Sequence, residues 1–408
     1  MHRSSRALLL ALACLTGQAC QSPRPDYARP LAPGERGLRL LTPSEWPDVK
    51  PAFRERPGDL TAAMSRSLAW FDRPSSARHF PDATTGVTHA QARASVEAFW
   101  RLASSCRSAA EFEARLREGF DAWESVGWDR RGTVLFTAYC SPTFDASPVA
   151  TPQFRYPLYR RPPGLVTDED GRVSRPFPAR AQIERDPAAV GLAGLELAWL
   201  RDRFEVYVVH VQGSARLRMP DGELRHVGYA GTNGHEYQSV SQELIRDGLL
   251  QPEQLGVPAM TRLFRERPEL LDRYLAVNPR YVFFQDYQPG SWPQGSLGVP
   301  VTAFRSVATD KAVFPRGGVV MVDTTLPAAG STRSFTHFML DQDTGGAIRA
   351  PGRADLYLGE DTSACDLAGR QHAEGRLYYF FLKPGSPAPV SPVSPSPSPS
   401  PSASPPAS

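Results

Sequence analysis

Asp343-Thr-Gly-Gly-Ala-Ile-Arg-Ala-Pro-Gly-Arg-Ala-Asp355-Leu-Tyr-Leu-Gly359 follows directly on the apolar run Phe338-Met-Leu340. Two carboxylates flank a loop broken by glycine and proline. Beyond Asp355, alternate residues of Leu356-Tyr-Leu358 can face a core, which leaves the neighbouring carboxyl group partly desolvated. Desolvation raises a carboxyl pKa, and a raised pKa lets the group stay protonated near neutral pH and act as an acid. The plainer reading is a pair of loop aspartates that cap turns, with Gly345 and Gly346 permitting a tight bend. The desolvation reading predicts that Asp355 is less solvated than Asp343 and has the higher pKa.

Working outward, the last third of the chain alternates strands and turns, at 319–325, 335–340 and 377–382. Earlier strands are expected at 132–140 and 281–284. Residues 204–230 read as paired strands: 204–211 is almost continuously apolar, 215–219 alternates, and Pro220-Asp-Gly222 makes a turn. Helical spacing over 88–103 puts Val96, Phe99, Trp100 and Ala103 on one side. Ser108 and Glu111 have capping-box spacing and open a second helix carrying Phe112, Leu116, Phe120 and Trp123. Further helices are expected over 239–250 and 260–277. The fold class is mainly β with short helices.

A chain of 408 residues is long enough for two domains. Its 46 basic and 43 acidic residues leave a net charge of +3, with no long basic run, which argues against a nucleic-acid partner. Residues 1–20 have the layout of an export signal: Arg3 and Arg6, an apolar stretch over 7–15, then Gly17-Gln-Ala19-Cys20. The apolar stretch is too short to span a bilayer. A cysteine at the cleavage point is similar to a bacterial lipobox, which makes Cys20 the candidate lipidation site. Gly17 stands where leucine is usual, and the alternative is a plainly cleaved signal. Gln21 after the cysteine is similar to the outer-membrane sorting pattern and implies the periplasmic face of that membrane. Residues 21–60 are rich in proline and arginine and read as a tether. Residues 385–408, rich in Pro, Ser and Ala, read as a disordered tail. Among Cys106, Cys140 and Cys365 at most one disulfide can form, and the sequence leaves the pairing open.

No phosphate-binding loop, dinucleotide fingerprint, Gly-x-Ser-x-Gly elbow or His-Glu-x-x-His pair occurs, so neither a nucleotide cofactor nor a metal is expected. The cysteines show no Cys-x-x-Cys spacing. Carboxylates beside turn residues, at Asp310, Asp343 and Asp355, point towards glycosidic chemistry.

An ordered series of segments resembles the MltA-type membrane-bound lytic murein transglycosylases. It comprises Phe136-Thr-Ala-Tyr139 with Pro142, Tyr156-Pro-Leu-Tyr-Arg160, Arg180-Ala-Gln-Ile-Glu184, and Glu196-Leu-Ala-Trp199. Val211-Gln-Gly-Ser214, Gly228-Tyr-Ala-Gly-Thr-Asn233, and Asn278 with Tyr281-Val-Phe-Phe284 follow. Ser306-Val-Ala-Thr-Asp310, Phe314-Pro-Arg-Gly317, Asp343-Thr-Gly-Gly-Ala-Ile348 and Asp355-Leu-Tyr357 complete it. The closing part resembles the domain named for three aspartates (3D), here Asp310, Asp343 and Asp355.

The resemblance implies a double-psi β-barrel, over 61–142 plus 263–384, carrying an inserted smaller β domain over 143–262. Substrate would lie between them. It implies cleavage of the MurNAc-β-1,4-GlcNAc bond of peptidoglycan with 1,6-anhydro ends, without a cofactor. The partners implied are glycan strands, the outer membrane through a lipid anchor, and other cell-wall machinery. Carried over by position, Asp355 is the acid and then the base, supported by Asp343 and Asp310. Thr137, Tyr139, Gln212, Gly213, Ser214, Tyr229, Asn233, Gly345 and Gly346 are the implied substrate contacts. Three departures stand against this. Gly-Tyr-Tyr is replaced by Ala138-Tyr-Cys140, the last glycine of Gln-Gly-Ser-Gly by Ala215, and that of Gly-Ala-Ile-Lys-Gly by Ala350. They motivate an alternative, a non-catalytic peptidoglycan-binding lipoprotein of the same fold. A conventional hydrolase would require Asp343 as its second carboxylate.

Overall fold

The structure, a computed structural model, describes residues 25–56, 58–168, 173–251, 256–288 and 291–385. Its strands fall into three consecutive groups, of which the first and third build one sheet and the middle group another. The first group is β1 (Leu38–Leu40), β2 (Phe120–Ser125) and β3 (Val134–Tyr139). The middle group is β4 (Thr143–Ser147), β5 (Tyr156–Tyr159), β6 (Glu196–Leu200), β7 (Ser214–Arg218), β8 (Leu224–Thr232) and β9 (Val282–Tyr287). The third is β10 (Ser306–Ala308), β11 (Val319–Ala328), β12 (Ser331–Asp343), β13 (Arg353–Tyr357) and β14 (Ala373–Leu382).

β11 and β12 form a long hairpin, registered from Val319↔Leu340 to Ala328↔Ser331. β14 runs antiparallel to the first half of β11, from Val319↔Phe380 to Asp323↔Arg376, and pairs β3 with its first residues, Ala373↔Phe136. That last pairing closes the ring β3-β13-β10-β12-β11-β14 into a barrel, and closure leaves none of the six strands as an open edge. β2 and β1 continue the sheet outward from β14.

Helices cover one side of the barrel. His89–Ser105 is capped by Thr88, and Ala109–Gly119 by Ser108, whose side chain accepts the Glu111 amide. Phe99 from the first helix packs on Phe112 from the second and on Phe338 of β12, with ring centroids 5.6 and 4.9 Å apart. The helix stops at Gly119, so Phe120 and Trp123 lie on β2 and not on the helical face where their spacing placed them. Nor are residues 25–60 a tether. β1 and the helices Lys50–Arg54 and Asp59–Phe71 lie there, and Leu38, Leu41, Val49, Ala52 and Phe53 are buried in the barrel core. Prolines split that stretch into pieces too short for either periodicity to register.

The middle group makes a six-stranded sheet ordered β5-β6-β4-β7-β8-β9. The apolar run expected as a strand at 204–211 is the helix Arg203–Gln212, capped by Asp202 and ended by Gly213 at φ 78°. It is buried on two sides: Val206 and Val209 face the sheet, while Phe204, Tyr207 and Val208 face the helices Val240–Arg246, Val257–Glu266 and Leu271–Leu275. A helix apolar nearly all round shows no stripe, and its valines then mimic a strand. The second sheet extends through β9 to Tyr287, so the chain returns to the barrel after that strand and not at 263. The export signal over 1–20 with Cys20, and the tail from 386 onward, lie outside the described residues. No described helix is long and apolar enough to cross a membrane.

Candidate active site

The chain passes from β3 to β4 through Cys140-Ser-Pro142 alone, and this short crossing sets the two sheets side by side. Ser141 N donates to Gly359 O at 2.9 Å, and the Ser141 and Ser214 hydroxyls lie 2.8 Å apart. Cys140 N donates to Gln212 Oε1 at 3.0 Å, and Cys140 is disulfide-bonded to Cys365 in the helix Thr362–Ala368 that follows β13. Trp292 Nε1 donates to Val227 O at 2.9 Å on the return. Between the sheets lies a groove of about 700 Å³.

The barrel supplies the floor. Ala308 of β10 is in register with Asp343 on β12 and with Asp355 on β13. Two strand spacings place the aspartate Cα atoms about 10 Å apart. Parallel pairing sets Asp355 opposite Thr137 and Tyr357 opposite Tyr139. Thr137 Oγ1 donates to Asp355 Oδ1 at 2.8 Å, and among the described residues it is the one hydrogen-bond donor to that carboxyl group. Asp343 is held by three donors: Tyr139 Oη at 2.7 Å on Oδ2, and the amides of Ser296 and Thr344, both at 2.8 Å, on Oδ1.

Both aspartates line the groove and both are half-buried, so exposure does not separate them as expected. Their donors do. Burial pushes Asp355 up to about 6, against the opposing pull of Arg353 and of the Thr137 hydroxyl. Burial also raises Asp343, but Tyr139, the two amides and the Lys311 charge all favour its ionised form. Burial and the Asp343 charge keep the Tyr139 phenol far above its ordinary range, so it remains a donor. One carboxyl group is thus poised to exchange a proton near neutral pH, and the other is a fixed acceptor that ties β3, the loop at Ser296 and the start of the 344–350 loop together.

Gln212, Gly213, Tyr229, Gly345 and Gly346 line the groove with Thr137 and Tyr139. Ser214 and Asn233 do not contact it. Ser214 is buried against Ser141, and Asn233 is fully buried, its amide spent on the carbonyls of Pro178 and Pro279. Both hold loops in place. Asp310 lies outside the groove as well. Its Oδ2 accepts the Ala350 amide at 2.8 Å, and Ala350 sits at φ 64°, a left-handed conformation that favours glycine. Asp310 therefore fixes the far end of the loop that Asp343 fixes at the near end. The departure at Cys140 is explained by its disulfide.

Sequence reasoning missed Ser296, Tyr287 and the three arginines 280, 349 and 353, all on the groove wall. Ser296 lies in Gly295-Ser-Leu-Gly298, whose spacing is not that of a nucleophile elbow. Its hydroxyl is not what reaches the site; its amide is. Among the described residues no cluster of His, Cys, Asp or Glu is placed to hold a metal ion.

Comparison with known proteins agrees with this division. The MltA specific insert domain matches residues 135–285, and the 3D domain matches residues 305–381. The chain is 31% identical over 281 residues to membrane-bound lytic murein transglycosylase A of Escherichia coli K12, covering 66% of this chain and 71% of that one. The Vibrio cholerae protein of the same name is 30% identical over 270 residues, covering 65% and 70%. Among solved structures, a membrane-bound lytic murein transglycosylase from Agrobacterium tumefaciens superposes with a TM-score of 0.68 at 25% identity, over 85% of this chain and 98% of that one. E. coli MltA with bound chitohexaose shares the fold, with a TM-score of 0.63 at 24% identity over 89% and 98%. The chain belongs to the MltA family of membrane-bound lytic murein transglycosylases.

Proposed function

We propose that the groove cleaves the β-1,4 bond between N-acetylmuramic acid and N-acetylglucosamine in peptidoglycan, with Asp355 as the single acid and base. The observation that carries this reading is the inequality of the two aspartates: Asp355 has one donor and a pKa of about 6, while Asp343 is occupied by three. Asp355 protonates the glycosidic oxygen as the bond to C1 breaks. The muramyl C6 hydroxyl then bonds to C1, and the Asp355 carboxylate takes its proton. The acid is regenerated, no water is consumed, and the product ends in 1,6-anhydro-N-acetylmuramic acid. An attacking hydroxyl on the same sugar ring has a very high effective concentration, so a second carboxylate is not required. Tyr229, 45% exposed at the groove, offers a ring face for a sugar. We place the protein on the periplasmic face of the outer membrane through lipid on Cys20.

Digestion of purified peptidoglycan tests this. Fragments lighter by one water than muramidase products are expected from the native enzyme. Asp355→Asn should lose activity by about 10²–10⁴-fold, the range of general acid–base catalysis. Reducing-end muramic acid as the product would establish a hydrolase. Binding without cleavage by both proteins would establish a non-catalytic wall-binding lipoprotein.

A further inference from the structure

The groove holds two cations that no acid among the described residues answers. Arg280 lies between the helix Leu271–Leu275 and β9, and its backbone is tightly held: its amide donates to Asn278 Oδ1 at 3.2 Å and its carbonyl accepts Arg180 Nη2 at 2.8 Å. The guanidinium is not. Its one hydrogen bond among the described residues is a long one, 3.4 Å from Nη1 to His235 O. It lies against Gly346, where a Cβ would stand 3.1 Å from Arg280 Nε and 3.2 Å from Cζ. Arg349, on the same loop as Gly346, is exposed and makes no ion pair among the described residues. Burial, and then the charge of Arg349, push the Arg280 guanidinium below the ordinary arginine range.

Several arginines around the groove and the second sheet are matched with acids. Arg180 pairs with Glu184, Arg203 with Glu184 and Asp272, Arg160 and Arg225 with Asp286, and Arg216 with Glu360. In the groove Asp343 is engaged by its three donors, and Asp355 by the charge of Arg353 and by Thr137. A third cation, Arg353, spends Nη1 on Ala347 O and reaches Thr137 Oγ1 with Nη2, and its buried Nε has no hydrogen-bond partner among the described residues. A neutral sugar would leave this clustered charge unanswered, and holding like charges together in a partly desolvated groove is unfavourable.

Resting on the reading of the groove as a glycan site, we propose that Arg280 and Arg349 bind a carboxylate carried by the muramyl residue, so that the protein selects muramyl glycan over neutral glycan of the same length. The guanidinium fork suits a carboxylate, which it can grip with two parallel hydrogen bonds. That carboxylate has two sources. It belongs either to the peptide stem or, on a strand stripped of peptide, to the lactyl ether itself.

Titration calorimetry on the Asp355→Asn protein separates these cases with three tetrasaccharides. One carries stem peptides, one is stripped of them and bears free lactyl carboxylates, and one is an N-acetylglucosamine tetramer with no carboxylate. We expect at least one carboxylate-bearing ligand to bind about tenfold tighter than the neutral tetramer, the scale of one charge-assisted hydrogen bond. Arg280→Gln and Arg349→Gln, each added to that background, should remove the advantage and leave the neutral tetramer's Kd within about twofold. A gain confined to the stem-bearing ligand assigns the contact to the stem; one confined to the stripped ligand assigns it to the lactyl group. Equal Kd values for all three, or arginine variants that weaken all three alike, would overturn the proposal. Binding is read without turnover. Failure of the native enzyme to release anhydro ends would therefore refute the proposed reaction and leave this result standing, and the reverse also holds.

Discussion

Thr137→Val removes the one hydroxyl that stabilises the ionised form of Asp355 and keeps the side chain's shape. Its hydrogen bond is 2.8 Å long and donates to a carboxyl group already raised by burial to about 6. A hydrogen bond to a charged group contributes about 1.5–3 kcal/mol, or about one to two pKa units. Asp355 keeps partial exposure, so the lower figure applies, and it should titrate near 7 in the variant, about one unit higher. Arg353 and Asp343, the other charges acting on it, are untouched. The sign follows from the proposed first step, which requires the protonated acid: kcat/KM falls as pH rises through the Asp355 pKa. The falling limb should therefore move to higher pH by about one unit in Thr137→Val. Thr137→Ser keeps a hydroxyl and should leave the limb at the native position. The assay is chromatographic release of anhydro-ended fragments from about pH 4 to about pH 9, a span that brackets both limbs. A limb that stays in place, or moves towards acid, would refute the assignment of Asp355 as the titrating acid.

Stability offers three further checks. Asp355→Asn removes a desolvated carboxylate, so it should stabilise the fold by about 1–3 kcal/mol above pH 6, because the native pKa of about 6 exceeds the ordinary value near 4. The gain should shrink as pH falls between those values and vanish below the lower one; thermal melts at several pH values measure it, and a gain largest in acid would contradict the burial argument. Lys311 is buried against the fully buried Asp341, which also accepts Thr309 Oγ1 at 2.8 Å and Tyr379 Oη at 2.7 Å. Lys311→Met strands that carboxylate and should cost about 3–5 kcal/mol in urea unfolding, whereas Lys311→Met with Asp341→Asn should recover most of it. Ala350→Gly relieves the left-handed backbone at φ 64° and should raise the unfolding free energy in urea by about 0.5–1 kcal/mol after the added freedom of the unfolded chain is counted. A loss of stability there would mean that the buried methyl group outweighs the backbone strain.

What the sequence revealed depended on whether the physics was local. The hairpin of β11 and β12, the Ser108 cap and the Pro220-Asp-Gly222 turn all rest on neighbouring residues, and their periodicities are plain. The helix Arg203–Gln212 was hidden because its surroundings bury two faces, a fact that belongs to tertiary structure. The crossing after Pro142 was reachable through the resemblance, but the return was not, since β9 reads the same in either sheet. In the site, Asp355 was reachable because a carboxylate beside alternating apolar residues has a local signature. What separates it from Asp343 comes from Thr137, Tyr139 and Ser296, each distant in sequence. Arg280 and Arg349 were invisible for a related reason: arginine is abundant in this chain, and only the structure shows which ones lack an acid.

The Cys140–Cys365 bridge joins the strand carrying Thr137 and Tyr139 to the helix that follows the strand of Asp355, across 225 residues of sequence. In the loop-entropy picture, closing a loop of that length removes about 5 kcal/mol of freedom from the unfolded chain. The bridge encloses the whole second sheet, so in the folded protein it fastens the two flanks of the barrel from which that sheet departs and to which it returns. Where thiols are kept reduced, the same chain holds its groove by packing and hydrogen bonds alone. The bridge thus ties the integrity of a wall-cutting groove to the oxidising space in which we propose the wall is met, a form of compartment control written into two side chains.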